Sequence, residues 1–147
     1  MSQNSVTGLK PELVWKYFAE MSTVPRPSKK EGKIVEWAKK FALDNGFEVI
    51  EDEVKNLLIK VPASKGYESK QTIVLQGHVD MVCEKNKGTE HDFDKDPIVL
   101  LKEDGWITAD GTTLGADNGI GVAAAMAVAT DPECIHGPIE LLLTVDE

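Results

Sequence analysis

The segment at residues 122–129, VAAAMAVA, is apolar on every side and constrains the fold more than any other stretch. A helix without a polar face has to be buried, so other elements must surround it. It follows a glycine-rich stretch at 111–121, GTTLGADNGIG, which carries a single carboxylate, Asp117. An acid on such a turn is suited to contact a ligand. Asp-Asn-Gly is also ordinary turn chemistry and Asp is a common N-cap, so that alternative stays open.

The glycines of this stretch suggest a second alternative, a phosphate-binding loop that precedes a helix. Their spacing is G-x-x-x-G-x-G, which differs from the dinucleotide fingerprint and from the P-loop with its Gly-Lys pair. A carboxylate in the centre of the loop would repel a phosphate and attract a cation. The sequence therefore favours a cation over a nucleotide at Asp117.

Hydrophobic periodicity predicts two helices near the N-terminus. Pro11 is expected at the first helical position of the first one, because its missing amide hydrogen costs nothing there. The buried face of this helix would carry Val14, Tyr17, Phe18 and Met21. The prolines in TVPRP, at 23–27, end it. The Ser-Lys-Lys-Glu run at 28–31 has the pattern of a capping box for the second helix, which Asn45-Gly46 would end.

The remaining apolar runs predict strands. Residues 47–52 and 56–61 indicate a hairpin or adjacent strands, and the Glu103-Asp104-Gly105 turn predicts a hairpin of 98–102 with 106–109. The run at 72–75 is continuous, as is typical of a central strand covered on both faces, and 138–145 predicts another buried strand. Strands that alternate with helices predict an α/β fold, a three-layer αβα sandwich whose mixed sheet is parallel in its centre.

Charge and composition exclude several classes of function. The chain has 16 basic and 25 acidic residues, and this net charge of −9 argues against nucleic acid, whose phosphates need Lys and Arg. No apolar run reaches the roughly 18 residues of a membrane span, and the first residues lack the apolar core of a signal peptide. Cys83 and Cys134 are far apart and are expected to be buried free thiols in a reducing cytosol.

Polar groups lie where three predicted elements begin or end. His78 and Asp80 follow one apolar strand, Asp117 precedes the buried helix, and Glu147 follows the last strand. Sites in open α/β sheets form at the carboxyl ends of strands. If the strand geometry persists, His78 and Asp80 share a face, so that His78 could bind a metal while Asp80 orients its ring. The alternatives are a His78 that only caps the strand and a Glu147 that is simply solvated.

Four longer motifs carry a resemblance to a known superfamily: GHVDMVCEKN at 77–86, HDFDKDPI at 91–98, DGTTLGADNGIGVAAAMA at 110–127 and LLLTVDE at 141–147. VPRPSKKEGKIVEWA at 24–38 fits as well. The sequence resembles the zinc-dependent metallopeptidases that include aminoacylases, glutamate carboxypeptidases and dipeptidases. Within this superfamily it resembles the Xaa-His dipeptidases, and the resemblance covers essentially the whole chain.

The resemblance implies a reaction and a role for each site residue. His78 and Asp117 would be metal ligands, with Asp117 bridging two Zn²⁺ ions, for which Co²⁺ or Mn²⁺ are alternatives. Asp80 would support His78, and Glu147 would be the general base in the hydrolysis of unblocked dipeptides, Xaa-His types among them. The peptide between Asp117 and Asn118 is expected to be cis.

The resemblance also implies how much of the enzyme is present. Glu147 matches the first glutamate of a Glu-Glu pair, and the second glutamate and later acid and histidine ligands are absent. Residues 1–147 are therefore expected to be the N-terminal part of a catalytic domain, without the rest of that domain or the lid and oligomerisation domain. The intact enzyme would be a cytoplasmic homodimer that acts on small peptides, and this segment alone would be inactive. The alternative is a non-enzymatic α/β module that binds a ligand at its glycine-rich loop, or a catalytically dead relative.

Overall fold

The structure, a computed structural model, describes residues 5–147. The helices are α1 (Glu12–Ser22), α2 (Gly32–Asp44) and α3 (Ala116–Thr130). The strands are β1 (Glu48–Glu51), β2 (Leu57–Val61), β3 (Ile73–His78), β4 (Leu100–Glu103), β5 (Trp106–Ala109) and β6 (Ile139–Thr144). Within residues 5–147, no helix combines the length and the apolar character that crossing a membrane requires.

Four strands form one sheet in the order β1-β2-β6-β3. β2 pairs with both β1 and β6 in antiparallel fashion, whereas β3 runs parallel to β6, from Ile73 opposite Ile139 to His78 opposite Thr144. The predicted α/β class with a mixed sheet is confirmed. In the described sheet the parallel pair lies at one side and not in the centre, because β6 has an antiparallel neighbour in β2.

β3 differs from the prediction of a central strand covered on both faces. It lies at the edge of the described sheet, and Ile73 and Val74 are 59% and 51% exposed. An apolar run shows that a strand is suited to burial, but the run carries no information about which segment lies beside it. The neighbours of a strand are long-range contacts, which only the tertiary structure decides.

The helices lie on one face of this sheet. That face contains a continuous set of buried side chains from two neighbouring strands: Leu57, Ile59, Val61, Ile139, Leu141 and Leu143. Helix α2 contacts it through the ion pair of Lys39 with Glu51, and α3 packs Val122 against Gly77. Helix α1 packs against α3. On the opposite face Leu58 and Leu142 are only partly buried, so residues 5–147 supply the sheet and one layer of helices.

The two predicted N-terminal helices are present, but both begin differently. Helix α1 starts at Glu12, so Pro11, whose backbone is extended, is its N-cap and not the first helical residue that was predicted. Helix α2 ends just before Asn45-Gly46, as predicted. The predicted capping box is wrong, because α2 begins at Gly32 and no side chain caps it. The hydroxyl of Ser28 donates to Asp80 instead. A pattern of four residues could not show that a distant carboxylate would compete for this hydroxyl.

The predicted hairpin is confirmed as β4 and β5, which pair antiparallel across a turn with positive φ at Asp104 and Gly105. Both cysteines are free, but Cys83 and Cys134 are half-buried and not buried as expected. Both lie outside the helices and strands, where the chain has less cover than in the core.

Candidate metal centre

The end of β3 supplies the first two groups of the site. His78 is the last residue of the strand, and Asp80, only 2% exposed, lies two residues further. The Nδ1 atom of His78 lies 3.1 Å from the backbone oxygen of Asp80 and 3.3 Å from its Oδ1. Both partners accept hydrogen bonds, so they hold a proton on Nδ1. With Nδ1 next to Asp80, the opposite nitrogen Nε2 is directed away from this residue.

Asp117 reaches the same place from the start of α3. Gly115 turns the chain with φ +73, and Asp117 and Asn118 depart from helical dihedral angles before the regular helix begins. The peptide between these two residues is cis, as the resemblance implied. The Asp117 side chain is 94% exposed, and its Oδ1 lies 3.0 Å from Nε2 of His78. The glycine-rich stretch therefore presents this carboxylate to the imidazole across the gap between α3 and β3.

Both ring nitrogens of His78 face oxygen acceptors, so the imidazole is suited to carry a second proton. Burial lowers the pKa of His78, but the hydrogen bond with Asp117 and the charge of Asp80 outweigh it, and the pKa is raised overall. A cation that binds between Nε2 and Asp117 would replace this proton.

The residues fit a metal ion in chemistry and direction. An imidazole nitrogen and a carboxylate oxygen are ligands that zinc uses, and here they face one another. They are two ligands where zinc sites normally have three or four from the protein. Among the residues that the structure describes, no group of three or more His, Cys, Asp or Glu side chains is arranged to hold an ion.

Asp80 is held as an anion despite its burial. Ser28 Oγ donates to its Oδ2 at 2.5 Å, and the amide of Glu147 donates to its Oδ1 at 3.4 Å. Burial raises the pKa of Asp80, but these hydrogen bonds and the nearby His78 lower it overall. The carboxylate therefore stays a proton acceptor for Nδ1 of His78 at neutral pH.

Glu147 lies at the same pocket. His78, Asp80, Asp117 and Glu147 all line a cavity of about 310 Å³, which Ser28 and Leu114 also border. The structure thus brings together the four residues that the sequence singled out at the ends of three elements. Their roles as ligands, orienting group and base stay predictions.

No family model matches the sequence. It is 46% identical over 144 residues to the cytosol non-specific dipeptidase of Escherichia coli (strain K12). The matched region covers 98% of this chain and 30% of that protein. The fold matches the aminoacylhistidine dipeptidase of Vibrio alginolyticus with a TM-score of 0.94 and 46% identity, over 97% of this chain and 29% of that one.

A dinuclear metal-binding peptidase of the M20 family from Bacillus subtilis shares the fold, with a TM-score of 0.53 at 12% identity over 91% of this chain and 35% of that one. Over nearly its whole length the chain is related in sequence and fold to these two dipeptidases. It spans about 30% of the length of the Escherichia coli relative.

Among the residues around this site, sequence reasoning missed Arg26, which is 1% exposed. Its guanidinium donates to the backbone oxygens of Val79 at 3.1 Å and Gly115 at 2.7 Å, and so joins the end of β3 to the turn before Asp117. Burial lowers its pKa to about 10, so it stays charged at neutral pH. A Cβ on Gly115 would lie 2.5 Å from Nη2 of Arg26, and on Gly119 2.9 Å.

One signal for this contact was present in the sequence. Arg26 lies between two prolines in TVPRP, where proline amides cannot donate and a charged side chain has no helical partner. The prolines end a helix, and they also leave Arg26 in an extended segment. A charge in such a segment is worth testing as a buried donor to carbonyl groups, because buried charges are normally hydrogen-bonded.

Proposed function

We propose that this chain is the N-terminal part of the catalytic domain of a dipeptidase, and that the full-length protein hydrolyses unblocked dipeptides, Xaa-His types among them. The observation that carries the proposal is the facing pair of His78 Nε2 and Asp117 Oδ1, 3.0 Å apart, in a pocket that Glu147 also lines. The names of the related proteins, a cytosol non-specific dipeptidase and an aminoacylhistidine dipeptidase, support the substrate class.

Each of the four residues has a part in this reaction. His78 and Asp117 would hold the metal, Zn²⁺ or as alternatives Co²⁺ or Mn²⁺, and in the full-length protein the Asp117 carboxylate would serve as the ligand shared by two ions. A divalent ion bound there supplies Lewis acidity, which polarises the scissile carbonyl and makes water easier to deprotonate. Asp80 keeps the proton on Nδ1, so that Nε2 offers its lone pair. Glu147 takes a proton from the attacking water and delivers it to the leaving amine.

The proposal includes a cytoplasmic location, which agrees with the name of the Escherichia coli relative. It also includes a homodimeric full-length protein whose partners are small peptides. The net charge of −9 opposes binding to nucleic acid.

The test uses the full-length protein loaded with zinc and a free Xaa-His dipeptide such as alanyl-histidine. Release of both amino acids is expected, together with loss of metal and of turnover in Asp117→Ala. The control is Asp44→Ala, which removes an exposed carboxylate at the end of α2 and should change neither. Turnover retained in Asp117→Ala would refute the bridging role. A non-enzymatic module or a catalytically dead relative would bind metal and release no amino acid.

The chain of residues 1–147 is expected to bind zinc weakly and to hydrolyse no dipeptide. His78 and Asp117 are two ligands, and a zinc site normally needs three or four. Isothermal titration calorimetry of this chain with zinc measures the affinity. Submicromolar binding would show that the described residues form a complete site.

A further inference from the structure

The segment at residues 145–147 follows β6 and is held by side chains from three other parts of the chain. Each of its amides donates to a different side chain: Val145 to Asn56 Oδ1 at 3.0 Å, Asp146 to Glu31 Oε1 at 3.0 Å, and Glu147 to Asp80 Oδ1 at 3.4 Å. Asn56 immediately precedes β2, Glu31 immediately precedes α2, and Asp80 follows β3. We call this arrangement the three-amide clamp.

Glu31 is the part of the clamp that sets the backbone turn before Glu147. It is 8% exposed, and its Oε1 accepts a second hydrogen bond, from the amide of Lys29 at 2.7 Å. Lys29 and Asp146 both have positive φ values, +68 and +52, in a region that residues other than glycine seldom occupy. One carboxylate oxygen of Glu31 therefore accepts hydrogen bonds from the amides of Lys29 and Asp146, which both have left-handed backbone conformations.

Asn56 holds Val145, the residue before Asp146, in the same way. Its Oδ1 accepts from Val145, while its Nδ2 donates to Asp52 Oδ2 at 2.9 Å, which fixes the amide group in one orientation. The strand pairing of β6 ends at Leu143 opposite Leu57 on this side. Beyond that point Asn56 and Glu31 take over the hydrogen bonds that a neighbouring strand would otherwise provide.

We propose that Glu31 and Asn56 are positioning residues for Glu147. They do not line the pocket of His78 and Asp117, but they determine where the backbone of Glu147 lies relative to these groups. The inference rests on the proposed function, in which Glu147 is the general base. A base has to lie within hydrogen-bond reach of the water that it deprotonates, and a displacement of about 1 Å can cost about 100-fold in rate.

The first test compares two substitutions of Glu31 in the full-length protein. Glu31→Met keeps the approximate volume and removes the acceptor, whereas Glu31→Gln keeps an acceptor oxygen for both amides. We expect Glu31→Met to lower kcat about 10- to 100-fold with KM changed less than about threefold, and Glu31→Gln to stay within about threefold of the wild type. Zinc content should equal that of the wild type in both, because His78 and Asp117 are untouched. Glu36→Met, an exposed acid on α2, is the control and should have no effect.

The second readout is hydrogen exchange of the peptide that contains residues 145–147, measured by mass spectrometry on the same proteins. Exchange should become faster in Glu31→Met and stay slow in Glu31→Gln and Glu36→Met. This readout does not depend on turnover. If the wild type hydrolyses no dipeptide, the proposed function fails, while unchanged exchange in Glu31→Met shows separately that the clamp is wrong.

A wild-type kcat in Glu31→Met would overturn the positioning role, even with faster exchange. If circular dichroism shows that Glu31→Met does not fold, Asn56→Leu takes its place, since it removes the acceptor for Val145 with little change in volume. The expected result is again a lower kcat at constant zinc content, with faster exchange at residues 145–147. An unchanged kcat in a folded Asn56→Leu protein would overturn the proposal.

Discussion

At the scale of single residues, a proton and a metal ion compete for His78. Asp80 accepts from Nδ1 in either case, because its own pKa is held low by Ser28 and the amide of Glu147 despite burial. The opposite nitrogen faces Asp117 at 3.0 Å, and only that side is free to exchange a proton for a cation. Metal binding to this pair should therefore release a proton and weaken as the pH falls.

We expect His78 to titrate above its ordinary pKa of 6.5 in the metal-free chain, because its hydrogen bond to Asp117 and the charge of Asp80 outweigh the effect of burial. The stabilisation that comes with this raised pKa is fully present below the unfolded-state pKa and is lost as the pH rises through the folded-state pKa. Asp117→Asn should lower the pKa, since it removes the charge and keeps an acceptor.

The measurement for His78 is an NMR titration of the imidazole protons with a chelator present. Asp44→Asn, which removes an exposed charge on α2, serves as the control and should leave the titration unchanged. A pKa of His78 at or below 6.5 in the metal-free chain would contradict the hydrogen-bonded pair.

At the scale of elements, two contacts set the position of α3 against β3 and hence the distance between Asp117 and His78. Gly77 lets α3 approach the strand, since a Cβ there would lie 2.9 Å from Cγ2 of Val122. Arg26 joins the end of β3 to the turn that precedes α3. Both contacts bind elements that are far apart in the sequence.

Gly77→Ala should lower the free energy of unfolding by about 1–3 kcal/mol, because the added methyl group forces the helix and the strand apart. The control is Gly32→Ala at the start of α2, where a Cβ would meet no atom within 4 Å. The control should change stability by less than about 1 kcal/mol. Urea denaturation followed by circular dichroism measures both, and equal stability of the two variants would contradict the close approach.

Arg26→Met should destabilise the chain by about 3 kcal/mol or more, because it removes the donor to the backbone oxygens of Val79 and Gly115, the first of which is buried. Arg26→Lys should recover only part of the loss, since an ammonium group cannot reproduce the fork of the guanidinium. Lys40→Met breaks an exposed ion pair on α2 and should cost less than about 1 kcal/mol. The same urea titration compares the three, and a loss in Arg26→Met no larger than in Lys40→Met would rule out the buried contact.

At the scale of the whole molecule, the described residues form a sheet with helices on one face and an open edge. β3 has β6 on one side and no strand of residues 5–147 on the other. Apolar side chains are exposed on this edge strand, since Ile73 and Val74 are each more than half exposed. An exposed apolar edge strand is a template for pairing with another chain.

The chain of residues 1–147 should therefore self-associate in a concentration-dependent way. Val74→Lys should shift it towards the monomer, because a charge on an edge strand opposes pairing. Val54→Lys is the control, as Val54 is 64% exposed but lies outside the strands. Light scattering with size-exclusion chromatography measures the mass. A monomeric wild type at all concentrations, or equal effects of the two substitutions, would contradict an association through β3.

The sequence by itself determined the elements, the mixed α/β class and the candidate residues at the element ends. Helix period, turn glycines and apolar runs act over a few residues, so the C-terminal end of α2 and the β4–β5 hairpin could be predicted locally. The motifs around His78 and Asp117 also indicated the resemblance to dipeptidases, because they are long and ordered.

Only the tertiary structure decided which partners those residues have. Ser28 fits a capping box, but its acceptor is Asp80, 52 residues away. The amides of Val145 and Asp146 find Asn56 and Glu31 at separations of 89 and 115 residues. The position of β3 at the edge of the sheet is a contact of the same long-range kind. Any one donor could bond to several polar groups of the chain. The packing of the helices on the sheet decides which of these groups comes to within about 3 Å of the donor, and the sequence does not indicate it.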